Sequence, residues 1–261
     1  MKNLTWQVPE QQKVVQKFKN MVTSKCCGIK EKVMKVLFKT MLFATLLFSV
    51  TACSSDDDEK DDPYNGHEYV DLGLPSGVKW ATCNIGATSP EDYGDYYAWG
   101  ETSKKEIFSW ETYQWCNGSR KSMTKYCTDS EYGEVDNKTN LDLTDDVAHV
   151  TWGGKWRMPT PEDIDELLNE DYTTIVWTTQ RYKNGIKVTS KTNGNSIFLP
   201  AAGGLLEDEP DEAGLYGTYW QSSLNSGHVD YTYALYFDRD CWGWDGGTYR
   251  CVGQPVRAVC P

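Results

Sequence analysis

The amino-acid sequence predicts an α+β domain of short strands, one or two helices and long ordered loops over residues 64–261. Three observations support this class. Short apolar or β-branched runs alternate with turn residues, which is typical of strands. One segment carries both start signals and apolar spacing of a helix, and residues 86–146 show no sustained period. The chain therefore predicts many short strands around one clear helix.

Turn residues separate the segments that carry strand signals. Residues 75–77 (Pro-Ser-Gly) lie between the first two segments, and residues 184–185 (Asn-Gly) and 193–195 (Asn-Gly-Asn) favour hairpin turns. Hairpins join antiparallel strands, so the later strands should form antiparallel pairs. The predicted strands are 67–72, 79–85, 174–179, 185–189, 196–200, 218–222, 231–237 and 255–259.

One helix is predicted over residues 161–168. Thr160 precedes it as the N-cap, Pro161 takes the first helical position, and acidic residues follow in the first turn. Apolar side chains at positions 164, 167 and 168 have the i, i+3, i+4 spacing of one buried face.

Residues 1–52 look like an export signal. An apolar run at 41–50 follows a Lys-rich segment, and it is shorter than the ~18 apolar residues that a membrane-spanning helix needs. The run ends in Val-Thr-Ala-Cys at 50–53, which resembles the lipobox of bacterial lipoproteins, so we expect lipid on Cys53. An ordinary signal peptide or a small buried helix is the alternative. Residues 1–33 form an over-long leader, and a signal of ordinary length would start at Met34 or Met21.

An acidic tether is expected to follow the lipidated cysteine, over residues 53–63. Six of the nine residues at 54–62 are acidic, and such a segment stays solvated. Acidic runs in this place resemble the surface-export signal of Bacteroidota lipoproteins. The expected location is the outer membrane, with acylated Cys53 in its lipid and the domain at the cell surface. Anchoring that faces the periplasm is the alternative.

The charge balance argues against one class of partner. Residues 1–52 hold nine Lys and two Glu, so 17 of the 26 basic and 36 of the 38 acidic residues remain in 53–261, a net charge of −19. A surface this negative repels phosphate backbones, so no nucleic-acid partner is expected.

Six phrases of the sequence together resemble a known family. In their order along the chain they are similar to the Fibrobacter succinogenes major paralogous domain family, common in Bacteroidota surface proteins, over about residues 67–261. The phrases are DLGLPSGVKWATCNIG (71–86), YGDYYAWGET (93–102), WGGKWRMPT (152–160), FLPAAG (198–203), YWQSS (219–223) and PVRAV (255–259).

The resemblance implies a topology. The family is similar to C-type-lectin-like domains and to the formylglycine-generating sulfatase-modifying fold, and WRMPTPEDI at 156–164 resembles the Arg-Leu-Pro-Thr-Glu helix entry of that superfamily. The implied fold is a small twisted antiparallel sheet with one or two helices, long loops at one end, and chain termini on neighbouring strands. It implies no activity, because the family lacks an agreed biochemical role.

Six cysteines follow Cys53, and an even number in an exported domain predicts disulfides. Six cysteines allow 15 pairings, and the residues alone leave the choice open. The implied topology brings the two ends of the domain together and suggests a Gly-rich hairpin tip at 242–250. A catalytic or copper-binding thiol pair, as in the formylglycine-generating relatives, is the alternative. The expected disulfides, worth about 2–4 kcal/mol each, are Cys83–Cys260, Cys116–Cys127 and Cys241–Cys251.

One acidic loop is a candidate metal site. Glu209-Pro210-Asp211 resembles the Glu-Pro-Asn loop of calcium-dependent lectins, and Trp244-Asp245 resembles half of their Trp-Asn-Asp strand. Carboxylates at this spacing suit Ca²⁺, so Glu209 and Asp211 are the candidate ligands. A solvated acidic loop is the alternative, and no other cofactor is expected.

Catalytic signals are weak. The three histidines, at 67, 149 and 228, have no spacing typical of a zinc site or a nucleophilic triad. Acidic residues are so numerous that a pair of carboxylates says little about glycoside hydrolysis. We therefore predict no catalytic residues.

Aromatic residues point to binding. Those between 93 and 115 are expected to be mainly core, whereas Trp242, Trp244 and Tyr249, with Asp245, are candidate ligand-binding residues. The predicted function is a surface-anchored lipoprotein with a non-enzymatic domain that binds a glycan or a protein. The alternatives are a structural or adhesin component of the envelope, and an enzyme that hydrolyses glycans or acts as a formylglycine-type oxidase.

Overall fold

A computed structural model of the chain describes residues 62–206, 209–225 and 227–261, without the side chains of 209–211, 245 and 246. The chain divides into two units, Met1–Asp62 and Pro63–Pro261, and the described elements lie in the second. The predicted signal, Cys53 and the tether up to residue 61 lie outside the described residues. In the described part, no helix combines the length and the apolar character needed to cross a membrane.

Four small antiparallel sheets form the framework of the part of the chain that the structure describes. The first has the order β1-β2-β11, the second β3-β4-β5, the third β10-β9-β8, and the fourth pairs β6 with β7. The strands are β1 (Tyr69–Asp71), β2 (Lys79–Ala81), β3 (Thr173–Gln180), β4 (Lys183–Ser190), β5 (Ser196–Pro200), β6 (Gly204–Leu206), β7 (Glu209–Asp211), β8 (Tyr216–Leu224), β9 (Tyr231–Asp238), β10 (Trp242–Tyr249) and β11 (Val259–Cys260).

Within the described ranges, two α-helices, α1 (Val147–Trp152) and α2 (Pro161–Leu168), accompany the sheets, and a 3₁₀ turn at Leu143–Asp145 precedes α1. Helix α2 has the predicted bounds. The Thr160 hydroxyl accepts a hydrogen bond from the backbone N–H of Asp163, and the Asp163 carboxylate accepts one from the backbone N–H of Thr160. This capping box satisfies two backbone donors that the helix cannot pair internally.

The core has three apolar clusters that hold most of the large aromatic side chains. The first contains Trp99, Trp156 and Trp220. The second contains Trp80 and the inner faces of α2 and the two larger sheets. The third lies under the long loop of residues 96–133, against residues 249–251. Most aromatic residues of the quoted phrases are thus core residues, as expected for those between 93 and 115, although Tyr93 and Tyr96 are only half-buried.

The coarse prediction is confirmed, with local exceptions. The predicted strand segments each overlap an observed strand, and residues 82–142 form loops with isolated bridges. The interpretation of 242–250 as a hairpin tip is wrong, because Trp242–Tyr249 is strand β10, paired antiparallel with β9. Its glycines resemble turn residues, and the pairing with β9 overrides that local preference. Helix α1 and strands β6 and β7 were not predicted.

Two of the three predicted disulfides do not fit the observed strand geometry. Cys83 and Cys251, one member of each of two predicted pairs, are free thiols. Strand β11 does pair with β2, but the register sets Cys260 opposite Lys79, so Cys83 lies four residues beyond it. Cys241 and Cys251 flank the whole of β10, and strands rise about 3.3 Å per residue. Disulfides need Cα atoms within about 7 Å, so the pairs Cys83–Cys260 and Cys241–Cys251 do not fit this backbone.

The third pair, Cys116–Cys127, stays a prediction. Both residues are buried in the third core cluster. The thiol of Cys116 donates to the carbonyl of Trp110, and that of Cys127 to the carbonyl of Asp129.

Candidate binding site

The two tryptophans predicted to bind a ligand are half-buried. Trp242 and Trp244 pack against the second core cluster. The indole N–H of Trp244 donates to Asp165 Oδ1 of α2 at 2.7 Å, and its ring meets Tyr233 edge-on. This contact fixes the strand edge to the helix and occupies the polar atom that a ligand would use.

The acidic candidates Glu209, Asp211 and Asp245 lie on strands β7 and β10. The structure does not describe their side chains. Glu209 and Asp211 pair with Leu206 and Gly204 in the small β6–β7 sheet, and Asp245 is registered opposite Ala234. Across the side chains that the structure does describe, no group of three or more His, Cys, Asp or Glu is arranged to hold a metal ion. The Ca²⁺ site at Glu209 and Asp211 stays a prediction.

The fourth candidate, Tyr249, belongs to a polar and aromatic surface that we call the Arg120 patch. Its members come from the long loop, the β8–β9 connection and the paired ends of β9 and β10. The rings of Tyr231 and Tyr249 stack with centroids 4.4 Å apart, and Arg120 Nη1 donates to the Tyr249 hydroxyl at 3.3 Å. The patch consists of Arg120, Tyr132, Asp230, Tyr231 and Tyr249.

Arg250 brings these segments together. Its side chain is fully buried, and its guanidinium donates to the backbone carbonyls of Lys125, Tyr126 and Val229 and to the Tyr113 hydroxyl. Three of these acceptors lie on the long loop and the fourth lies beside Asp230. Its backbone N–H also donates to the Asp230 carbonyl at 3.2 Å. One side chain therefore fastens the loop that carries Arg120 to the connection that carries Asp230.

The register of the third sheet supplies the tyrosine pair. Tyr249 is the direct partner of Tyr231 in the β9–β10 ladder, so their side chains share one face of the sheet. The buried ring of Trp110 meets Tyr249 edge-on at 5.6 Å and supports it from the core side. Tyr249 is therefore fixed by contacts on two sides while its hydroxyl reaches Arg120.

Asp230 is the buried charge of the patch. Its side chain is 3% exposed and its Oδ2 lies 4.0 Å from Nη1 of Arg120, whose side chain is 51% exposed. Asp230 Oδ1 is buried and accepts no hydrogen bond from any described residue. Burial raises the pKa of the Asp230 carboxyl, against the opposing effects of its own backbone N–H and of Arg120. The negative charge of Asp230 in turn raises the pKa of Tyr132.

The arrangement suits reversible binding. The exposed guanidinium offers N–H donors, the buried carboxylate offers acceptor atoms, and tyrosine rings offer apolar faces with polar tips. Nucleophilic chemistry from nearby thiols is disfavoured, because burial raises the pKa values of Cys116 and Cys251 and keeps both as neutral thiols.

Of the Arg120 patch, only Tyr249 was predicted from the sequence. Tyr249 was found because it stands near other aromatic residues and glycines at 242–247. Arg120 and Asp230 are far apart along the chain, in segments without periodicity or motif. The buried Arg250 brings their segments together, and a single arginine in a sequence carries no sign that it is buried.

Comparison with known proteins gives no match. The chain matches no protein-family model, no curated protein and no solved structure. The site is therefore interpreted from its own geometry and chemistry.

Proposed function

We propose that this protein is a surface-anchored lipoprotein whose domain over residues 64–261 is a non-enzymatic binding module for a glycan. The Arg120 patch is the observation that carries this proposal. It combines an exposed arginine, a buried carboxylate and paired tyrosines on one surface. Sugars are bound by such sets, because their hydroxyls need directional polar partners and their C–H faces pack on aromatic rings.

The proposal includes a family and a fold. The chain is proposed as a relative of the Fibrobacter succinogenes major paralogous domain family, with a C-type-lectin-like fold. Two observations support this. Four fully buried tryptophans, Trp80, Trp99, Trp156 and Trp220, come from the phrases that carry the resemblance. The last strand, β11, also pairs with β2 near the start of the domain, as that topology requires.

Anchoring through Cys53 to the outer membrane is the second part of the proposal. Its support is the apolar run, the small residues before Cys53 and the acidic segment after it. Intact-mass measurement of the purified chain is expected to show acyl chains on Cys53, and Cys53→Ala should remove them. Protease added to whole cells is expected to cleave the domain, and a protected domain would favour the periplasm-facing alternative.

A protein ligand is the second candidate. Tyr182 is fully exposed at the β3–β4 turn, where Arg181 and Tyr182 both have positive φ. Non-glycine residues in this conformation are uncommon, and exposed tyrosines are frequent anchors of protein interfaces. A structural or adhesin role would use the same surface. The enzymatic alternatives have less support, since Asp230 is the single carboxylate of the Arg120 patch and glycoside hydrolysis ordinarily needs two.

A glycan array with the full chain in detergent tests the function, run with Ca²⁺ and with a chelator. Arg120→Ala is expected to abolish the wild-type signals. Arg239→Ala is the matched control, because it removes the same charge from an exposed position after β9. Signals that require Ca²⁺ would bring Glu209 and Asp211 into the site. A blank array in both conditions would contradict the glycan ligand and favour the protein ligand.

A further inference from the structure

The Arg120 patch contains an ion pair held apart. Arg120 Nη1 and Asp230 Oδ2 are 4.0 Å apart, which is too long for a hydrogen bond. Asp230 Oδ1 likewise accepts no hydrogen bond from the described residues. The residue is nevertheless buried, with only 2% of its surface exposed. Buried carboxylate oxygens are ordinarily paired, so the Asp230 carboxylate is short of donors, and Oδ2 is the oxygen that faces Arg120 across the gap.

The tyrosines explain why the ion pair does not close. Arg120 donates to the hydroxyl of Tyr249, which is itself fixed by its stacking on Tyr231 and by the edge of Trp110. The guanidinium is therefore held by an aromatic frame on β9 and β10. Asp230 is held separately, by the hydrogen bond from the Arg250 backbone to its carbonyl.

The gap has the size of one hydroxyl oxygen. An oxygen about 2.9 Å from the guanidinium nitrogen and about 2.7 Å from the carboxylate oxygen spans 4.0 Å with an angle of about 90° between its two bonds. Such an oxygen must accept from Arg120 and donate to Asp230. A hydroxyl does both, whereas a carboxylate or phosphate oxygen only accepts and an ammonium only donates.

The charges select against ionic ligands. The positive guanidinium and the negative carboxylate lie within one ion-pair distance, so the local charge is near balance. An anionic ligand would face Asp230 and a domain of net charge −14 over residues 64–261, and a cationic ligand would face Arg120. A neutral, hydroxyl-rich ligand meets neither penalty.

We propose that Arg120 and Asp230 together bind one hydroxyl group of a neutral sugar, which accepts from the guanidinium and donates to the carboxylate. This inference rests on the proposed glycan function and names its ligand chemistry. The sugar ring then lies against the tyrosines, and the Tyr249 hydroxyl positions Arg120. A water can bridge the same two groups in the free protein, and the sugar hydroxyl replaces it with the same hydrogen bonds.

Saturation-transfer NMR on the full chain in detergent tests this chemistry. The neutral probes are methyl β-D-glucopyranoside, methyl α-D-mannopyranoside and methyl β-D-galactopyranoside. The charged probes are the methyl glycosides of glucuronate and of glucosamine. The neutral probes are expected to bind more tightly than their charged counterparts. Arg120→Gln and Asp230→Asn are each expected to weaken binding about tenfold or more, because each removes a charge-assisted hydrogen bond.

The controls separate the subsite from the function. Arg239→Gln, at an exposed position, should leave binding unchanged, and thermal unfolding of each variant checks the fold. Arg120→Gln keeps the test valid if Asp230→Asn does not fold. Neutral sugars that bind equally well to both variants would overturn this subsite and leave the glycan function standing. Tighter binding of the glucuronide would overturn the neutral ligand, and no binding of any saccharide would overturn both proposals.

Discussion

Replacing Arg250 by methionine is expected to be among the most destabilising single changes in the domain. The guanidinium makes four hydrogen bonds, to the carbonyls of Lys125, Tyr126 and Val229 and to the Tyr113 hydroxyl, at 2.9 to 3.2 Å. It is fully buried, so water cannot readily replace it as a donor.

The size of the effect follows from the acceptors that lose their donor. A buried acceptor left unpaired costs about 1–3 kcal/mol, and Arg250→Met leaves three carbonyls in that state. The guanidinium also lies over the ring of Trp99, with its Cζ atom 5.1 Å from the centroid. Methionine refills part of the volume and removes the desolvation cost of the charge. We expect the free energy of unfolding to fall by about 3–5 kcal/mol.

Urea unfolding followed by tryptophan fluorescence measures this change. Arg250→Lys keeps the charge but lacks the planar fork, so it should be nearly as destabilising as Arg250→Met. Arg239→Met, at an exposed site, should change the stability by about 0.5 kcal/mol or less. A loss below about 1 kcal/mol for Arg250→Met would refute the reasoning. It would mean that the desolvation cost of the buried guanidinium cancels its hydrogen bonds.

Three further changes test other contacts. Burial raises the pKa of the Asp230 carboxyl above its ordinary value of 3.8, so the folded state keeps the carboxyl proton to higher pH than the unfolded chain. The free energy of unfolding therefore falls as pH rises from 3.8 through the pKa of the folded state. Asp230→Asn should therefore gain stability relative to wild type between pH 3 and pH 7 in urea titrations, and a constant difference would contradict the shift. Thr160→Ala removes the cap of α2 and should cost about 0.5–2 kcal/mol in the same titrations, with an unchanged midpoint as the contrary result. Gly217→Ala places a methyl group into the ring of Phe237 and should cost about 1–3 kcal/mol, and a neutral result would show that the ring can move.

Local signals were sufficient for the parts of the fold that local chemistry determines. Helix α2 has the predicted bounds because its cap, its first-turn charges and its apolar face all lie within nine residues, 160–168. The hairpin of β3 and β4 was also predictable as two strands, although its turn residues are Arg181 and Tyr182 rather than the predicted Asn-Gly. A ladder of eight paired residues compensates for that unfavourable turn.

The features that could not be predicted from the sequence depend on contacts between residues far apart in the chain. Strand β10 contains three glycines, and only its pairing with β9 makes it a strand. Helix α1 has six residues, too few for a visible period, and depends on Asp146, whose carboxylate accepts from Ala148, His149 and Met158. The Arg120 patch was hidden for the same reason, since Arg120 and Asp230 meet through contacts that no local pattern encodes.

The pairing of β2 with β11 also sets an order of events. Trp80 is registered opposite Val259, so the first sheet cannot close on its second side until residue 259 is available. The proposed export threads the chain from its N-terminus, and Trp80 would cross the membrane long before Val259 does. Contacts this distant in sequence also form slowly. Under the proposed export, the first sheet would be completed only after residue 259 has crossed the membrane.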